Sequence, residues 1–132
     1  MKKLVLFLSM FLTAALFAED AKELAKSVVG NETIFEAGAV VDTKDNVQKL
    51  YALTNSGFYY AVKSGNAFTK KLGEKKKGGM EYIANNSGLL DIDGDGISEM
   101  YFAMENKKND SKMLVVYNSV PGTKYEAQIK KN

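Results

Sequence analysis

The chain has 132 residues, with 18 basic and 16 acidic side chains, and it contains no arginine, histidine, cysteine or tryptophan. That length suffices for one domain around one core. Without histidine or cysteine, Ser-His-Asp and Cys-His catalysis, zinc centres built on those residues, haem held by them and disulfides are all excluded. Chemistry is left to carboxylates, lysines, hydroxyls and tyrosines.

Residues 1–18 stand apart from the rest. Lys2 and Lys3 precede an almost wholly apolar run from Leu4 to Phe17, and Ala18 stands before the acidic pair Glu19-Asp20. A basic start, a short apolar stretch and a small residue at the cut describe a secretory signal peptide, and the run is shorter than the ~20 residues of a spanning helix. Residues 19–132 are then expected as a single exported domain, periplasmic or secreted, with no transmembrane anchor after cleavage. Lys2 and Lys3 carry the whole charge excess of +2. The remainder is formally neutral, which gives no electrostatic reason to expect nucleic acid. The arginine-free composition matches an AT-rich bacterial genome.

Asp20 reads as a helix N-cap, with Glu23 three positions later. Residues 21–29 place Ala21, Leu24, Ala25 and Val28 on one helical face, and Gly30 ends the run. Nine residues are too few for an isolated helix, so it is expected to pack on a sheet. Strand-like runs follow at 33–42, 49–54, 58–63 and 66–72, with turn signals at Asn55-Ser56-Gly57 and Ser64-Gly65-Asn66. Lys75-Lys76-Lys77-Gly78-Gly79 forms a charged tip. Short apolar pieces at 80–84 and 87–91 flank Asn85-Asn86. Further strands are expected at 99–105, 112–118 and 123–129, the last after a Pro121-Gly122 turn. The pattern predicts a mainly β domain with one short N-terminal helix: an antiparallel meander sheet, a sandwich or a small barrel. The likeness of Leu50–Ser56 to Leu114–Ser119 is explained by strand-plus-turn composition.

One motif carries specific chemistry: Asp91-Ile92-Asp93-Gly94-Asp95-Gly96-Ile97-Ser98-Glu99. Calcium takes six to eight oxygen ligands, and positions 1, 3 and 5 of a tight loop point inward, with glycine at 6 and a carbonyl ligand at 7. Those positions are Asp91, Asp93, Asp95, Gly96 and the carbonyl of Ile97, with Glu99 closing the shell at position 9. An EF-hand needs a bidentate Glu at position 12 and flanking helices. Here position 12 is Phe102 and the flanks read as strands.

An acidic Asp-x-Asp-Gly-Asp-Gly loop leading into an apolar strand resembles the calcium loops of FG-GAP and related β-propeller-type repeats. The resemblance covers residues 89–104, with Leu114–Tyr117 fitting a following strand. It implies calcium ligation by Asp91, Asp93, Asp95, Glu99 and the Ile97 carbonyl. It does not imply a propeller, which needs at least four blades.

Other features have plainer readings. Lys70-Lys71 and Lys75–Lys77 offer a site for an anionic partner or simply a solvated hairpin tip. Tyr51, Phe58, Tyr59, Tyr60 and Phe68 offer an aromatic platform, although alternation sends Phe58 and Tyr60 to one face and Tyr59 to the other, so that part of the cluster is core. Met80, Met100, Met104 and Met113 read as core filling. Glu81 and Glu105 are isolated acids. The leading expectation is a non-enzymatic, calcium-stabilised binding or interaction module of the bacterial cell envelope, with a protein or glycan partner. The alternatives are a small secreted inhibitor of a hydrolase such as lysozyme and, last, a metal-assisted hydrolase.

Overall fold

The computed structural model describes residues 20–118 and 123–129. The expected signal peptide at 1–18 and the expected Pro121-Gly122 turn lie outside the described residues. Among the described residues, eight strands follow one helix, α1 (20–29). They are β1 (Ile34–Val41), β2 (Gln48–Thr54), β3 (Gly57–Ser64), β4 (Ala67–Lys75), β5 (Glu81–Leu90), β6 (Glu99–Asn106), β7 (Ser111–Asn118) and β8 (Thr123–Ile129). They form two four-stranded antiparallel meanders, β1-β2-β3-β4 and β5-β6-β7-β8. The mainly β class with one short helix is thus as expected, and among the described strands neither sheet closes into a barrel.

Alternation along the strands decides which faces meet. Tyr51 pairs with Tyr60 and Leu53 with Phe58, so these four share one face of the first sheet. Met100 pairs with Tyr117 and Phe102 with Val115 on one face of the second. These two faces pack together as one core, with Met80 and Met104 in it. Phe58 lies on Phe102 with ring centroids 4.7 Å apart, and Tyr60 meets Tyr117 edge-on at 5.5 Å. Each large side chain buried there contributes roughly 1.5–3 kcal/mol of transfer free energy. Tyr51, Phe58 and Tyr60 are therefore core residues and not an exposed platform; Tyr59 is half-buried on the opposite face. Met80, Met100 and Met104 fill the core, and Met113 packs against it.

The opposite face of the first sheet is covered by α1. Ala21 and Ala25 are fully buried against Leu50, Ala52 and Ala61, with Val29 closing the row. Small residues on both partners allow close approach, so a helix too short to stand alone is held by the sheet. The helix already includes Asp20, so Asp20 is not its cap. Gly30, at φ 70°, ends it, its amide N–H donating a hydrogen bond to the Lys26 carbonyl at 3.0 Å.

One sequence expectation changes. Residues 81–90 form one strand and not two short pieces flanking Asn85-Asn86, with its pairing to β6 interrupted between Tyr82 and Ser87 and Asn85 at φ 62°. The extra residues form a bulge, which the Asn85-Asn86 pair signals because asparagine tolerates left-handed backbone. The likeness of 50–56 to 114–119 pairs a second strand with a third strand, so it does not mark equivalent places in the two sheets. The structural parallel lies elsewhere: in each meander the first connection, 42–47 or 91–98, carries acidic residues.

Phe102→Ala is expected to destabilise the protein by about 3–5 kcal/mol, because the ring is only 1% exposed at the sheet interface. Leu114→Ala, on the half-exposed outer face of the second sheet, should cost clearly less. Urea unfolding of the two variants checks the assignment of inner and outer faces.

Candidate metal centre

The loop joining β5 to β6 is organised by its own carboxylates. Asp91 accepts the Gly94 amide on Oδ1 at 2.9 Å, the Asp95 amide on the same oxygen at 3.1 Å and the Gly96 amide on Oδ2 at 2.8 Å. Asp93 accepts the Asp95 amide at 3.1 Å, and Asp95 accepts the Ile97 amide at 2.9 Å. Such short-range bonds wind the backbone tightly around the first aspartate. Gly96 has φ 85°, and a Cβ there would come 2.8 Å from Cβ of Lys44, so both conformation and space require glycine.

Winding the loop brings four of the sequence-selected residues together. One carboxylate oxygen from each of Asp91, Asp93, Asp95 and Glu99 lies within 4.8 Å of all the others. Asp91 and Asp93 are exposed, Asp95 is half-buried, and Glu99 is only 3% exposed. The fifth, Ile97, is half-buried in the same turn, its amide given to Asp95. Glu99 Oε2 accepts the Ile92 amide at 2.9 Å, whereas Oε1 is buried with no hydrogen-bond donor. Burial, the hydrogen bond and charge of Asp93, and the charge of Asp95 push the Glu99 carboxyl up to about 7, against the opposing Ile92 amide. Its hydrogen bond with Glu99 and the Asp95 amide hold Asp93 below the usual aspartate value. An oxygen with no donor can bond to a neighbouring carboxylate only by keeping a proton between them. The donor set is entirely hard oxygen, two of the carboxylates are exposed, and one buried oxygen lacks a hydrogen-bond donor, so these residues fit a hard divalent cation.

Comparison with family models, with curated proteins and with solved structures finds no match. The likeness to FG-GAP loops therefore rests on residues 89–104 and 114–117 of this sequence.

A second network holds the loop in place, and sequence reasoning missed it. Asp42, at the end of β1, is 4% exposed. Its carboxylate accepts the Ser98 amide at 3.0 Å and the Ser98 hydroxyl at 2.6 Å, 56 residues along the chain. It also pairs with Lys49 at 2.8 Å. The Lys49 ammonium, equally buried, bonds both Asp45 oxygens, at 2.8 and 3.1 Å, and the Val47 carbonyl at 3.3 Å. Burial alone would lower Lys49, but Asp42 and Asp45 hold it above the ordinary lysine value. Burial would raise Asp45, but Lys49 and the Val47 amide hold it low. The 42–47 connection thus encloses an ammonium, while the charges bearing on Glu99 in the 91–98 connection are carboxylates. A short acidic cluster, Asp42 and Asp45 ahead of Lys49, is the sequence signal for it, but nothing local points to Ser98.

A cavity of about 600 Å³ also opens between the sheets, lined by Lys22, Phe35, Glu36, Tyr51, Asn85 and Ser87 among others. Glu36 accepts the Asn85 amide at 2.7 Å and the Ser87 hydroxyl, which in turn bonds Tyr51 Oη at 2.8 Å. Burial, with the charge of Glu36, raises Tyr51 and keeps its hydroxyl protonated. This chain is satisfied internally and ties β1 and β2 to β5.

Lys49→Met should destabilise the protein by about 3 kcal/mol, since it leaves Asp42 buried without its cation. Adding Asp42→Asn should recover part of that loss, and a double-mutant cycle in urea reads the coupling. The pH dependence follows from Glu99. Its folded value, about 7, lies above the ordinary 4.5, so the ion-free folded state holds a proton that the unfolded chain releases. That contribution is complete below about 4.5 and is lost as pH rises to about 7. Thermal unfolding of resin-stripped protein should show falling stability across this window, and Glu99→Gln should remove the slope.

Proposed function

We propose that the protein is an exported calcium-binding β domain that serves as a binding or interaction module of the bacterial cell envelope. The observation that carries the ion reading is Glu99: a buried carboxylate oxygen with no donor, set among three aspartates. A divalent cation supplies the missing positive charge and cancels the repulsion that gathers around it. Asp91, Asp93, Asp95 and Glu99 would hold it through carboxylate oxygens, with the Ile97 carbonyl as the fifth protein ligand. Calcium is preferred over magnesium because a loop with two exposed aspartates suits a large, flexible shell better than a strict octahedron.

The role assigned to the ion is structural. It pins the first connection of the second meander where Ser98 meets Asp42, and so reinforces the junction between the two sheets. The non-enzymatic reading is supported by the side-chain chemistry: outside this loop, the buried Asp42 and the half-buried Glu36 are already engaged by internal donors. Export to the periplasm or beyond is supported by residues 1–18. It also fits an ion that is abundant outside cells, where sites of modest affinity fill.

Isothermal calorimetry with calcium should give saturable binding to the parent protein and none to Asp93→Ala. The melting temperature should rise with calcium, corresponding to about 2.7 kcal/mol at a hundredfold excess over the dissociation constant. Equal heats in parent and variant would remove the site.

A further inference from the structure

The outer face of the second sheet has the composition of a buried surface. β6 reads Met100-Tyr101-Phe102-Ala103-Met104 and β7 reads Met113-Leu114-Val115-Val116-Tyr117, both unbroken apolar runs. An antiparallel sheet with one face in water alternates apolar and polar residues, whereas a strand covered on both faces stays apolar throughout. The first sheet follows that rule. In β2, Tyr51 and Leu53 enter the core between the sheets, and Leu50 and Ala52 lie under α1. In the second sheet Met100, Phe102, Met104, Val115 and Tyr117 take the core side. Tyr101, Ala103, Leu114 and Val116 are left on the other side, and among the described residues neither hydrophobic cluster includes them.

Those four residues stand in matched rows. Tyr101 pairs with Val116 and Ala103 with Leu114 across the β6–β7 midline, and the next row pairs Glu105 with Lys112. The patch continues onto β5. The Tyr101 ring lies over Gly88, where a Cβ would come 3.0 Å from Tyr101 Oη, and Leu90, two positions further on, is 57% exposed. Glu105 and Lys112 close the patch at its other end, and among the described residues neither has an ion-pair partner. β6 and β7 are the middle strands of this sheet. Half a turn about the midline between them therefore lays β6 of one copy on β7 of another. That axis sets Ala103 against Leu114, Tyr101 against Val116 and Glu105 against Lys112, each contact occurring twice. Ala103 is small where Leu114 is large, and each charge meets its opposite. Twisted sheets stack face to face with their strands about 30° apart, and a twofold, self-complementary contact is the commonest in soluble oligomers. Four strands at a spacing of about 4.8 Å, with β8 seven residues long, give a face of roughly 450 Å². Two such faces remove about 900 Å² from water, close to the ~1,000 Å² lower limit of specific interfaces.

We propose that the outer face of the second sheet is a dimer interface whose partner is a second copy of this chain, stacked sheet on sheet about the β6–β7 midline. The proposal uses none of the carboxylates of the metal loop and does not depend on calcium. The test is sedimentation equilibrium of protein expressed from the full chain, without calcium, at concentrations spanning an expected dissociation constant of about 10–100 µM. The mass should pass from monomer to dimer. On dilution, the amide resonances of β6 and β7 should shift while those of α1 stay fixed. Lys112→Glu sets carboxylates against each other across the axis and should weaken the dimer about tenfold. Glu105→Lys combined with Lys112→Glu should restore it. Lys26→Gln, which removes an exposed charge on α1, should change nothing. A monomer at every concentration would overturn the proposal. So would a dimer that Lys112→Glu leaves intact, or dilution shifts confined to α1 and the first sheet.

Discussion

Electrostatic repulsion is the constraint on which the candidate centre turns. Four carboxylates converge within 4.8 Å at the entry to β6, and one of them is buried with an oxygen that no donor reaches. Such an arrangement opposes folding unless a proton or a cation neutralises it. The protein meets the same problem twice and shows one solution internally. In the 42–47 connection Asp42 and Asp45 share the ammonium of Lys49, and all three are tied by short hydrogen bonds. In the 91–98 connection the neighbours acting on Glu99 are aspartates. One loop brings its own cation; for the other, the proposed cation would come from solution.

The two connections are also joined physically. The Ser98 amide and hydroxyl both end on Asp42, so the segment just before Glu99 is fixed to the loop that encloses Lys49. Tyr60 adds a bond from the core to the Ser98 carbonyl at 3.3 Å. An ion that orders 91–99 therefore acts on the seam between the sheets as well as on a surface loop. On the proposed reading, such an ion would add rigidity to a small domain without disulfides beyond that of its hydrophobic core.

Much of the fold was legible because its signals are local. Turn residues at Asn55-Ser56-Gly57 and Ser64-Gly65-Asn66 separate strands whose alternation is regular, and the four helix positions Ala21, Leu24, Ala25 and Val28 do face the sheet. The Asp-x-Asp-Gly-Asp-Gly spacing likewise forecast which carboxylates converge, because a loop of nine residues determines its own geometry. What stayed hidden depends on how distant segments meet. Asp42 and Ser98 carry no local mark of their bond. Alternation marks part of the aromatic cluster as core, but which of its rings are covered is settled only where the second sheet packs on Tyr51 and Phe58. Residues 81–90 read as two pieces because a bulge and a turn share the same asparagine signal.

The most direct measurement is a crystal structure grown in calcium, with anomalous difference density collected for the ion. The account requires a peak inside the 91–99 loop, with Glu99 Oε1 and the three aspartates at about 2.3–2.6 Å from it. A loop without a peak, in which Glu99 keeps a proton and bonds Asp93 at saturating calcium, would contradict it.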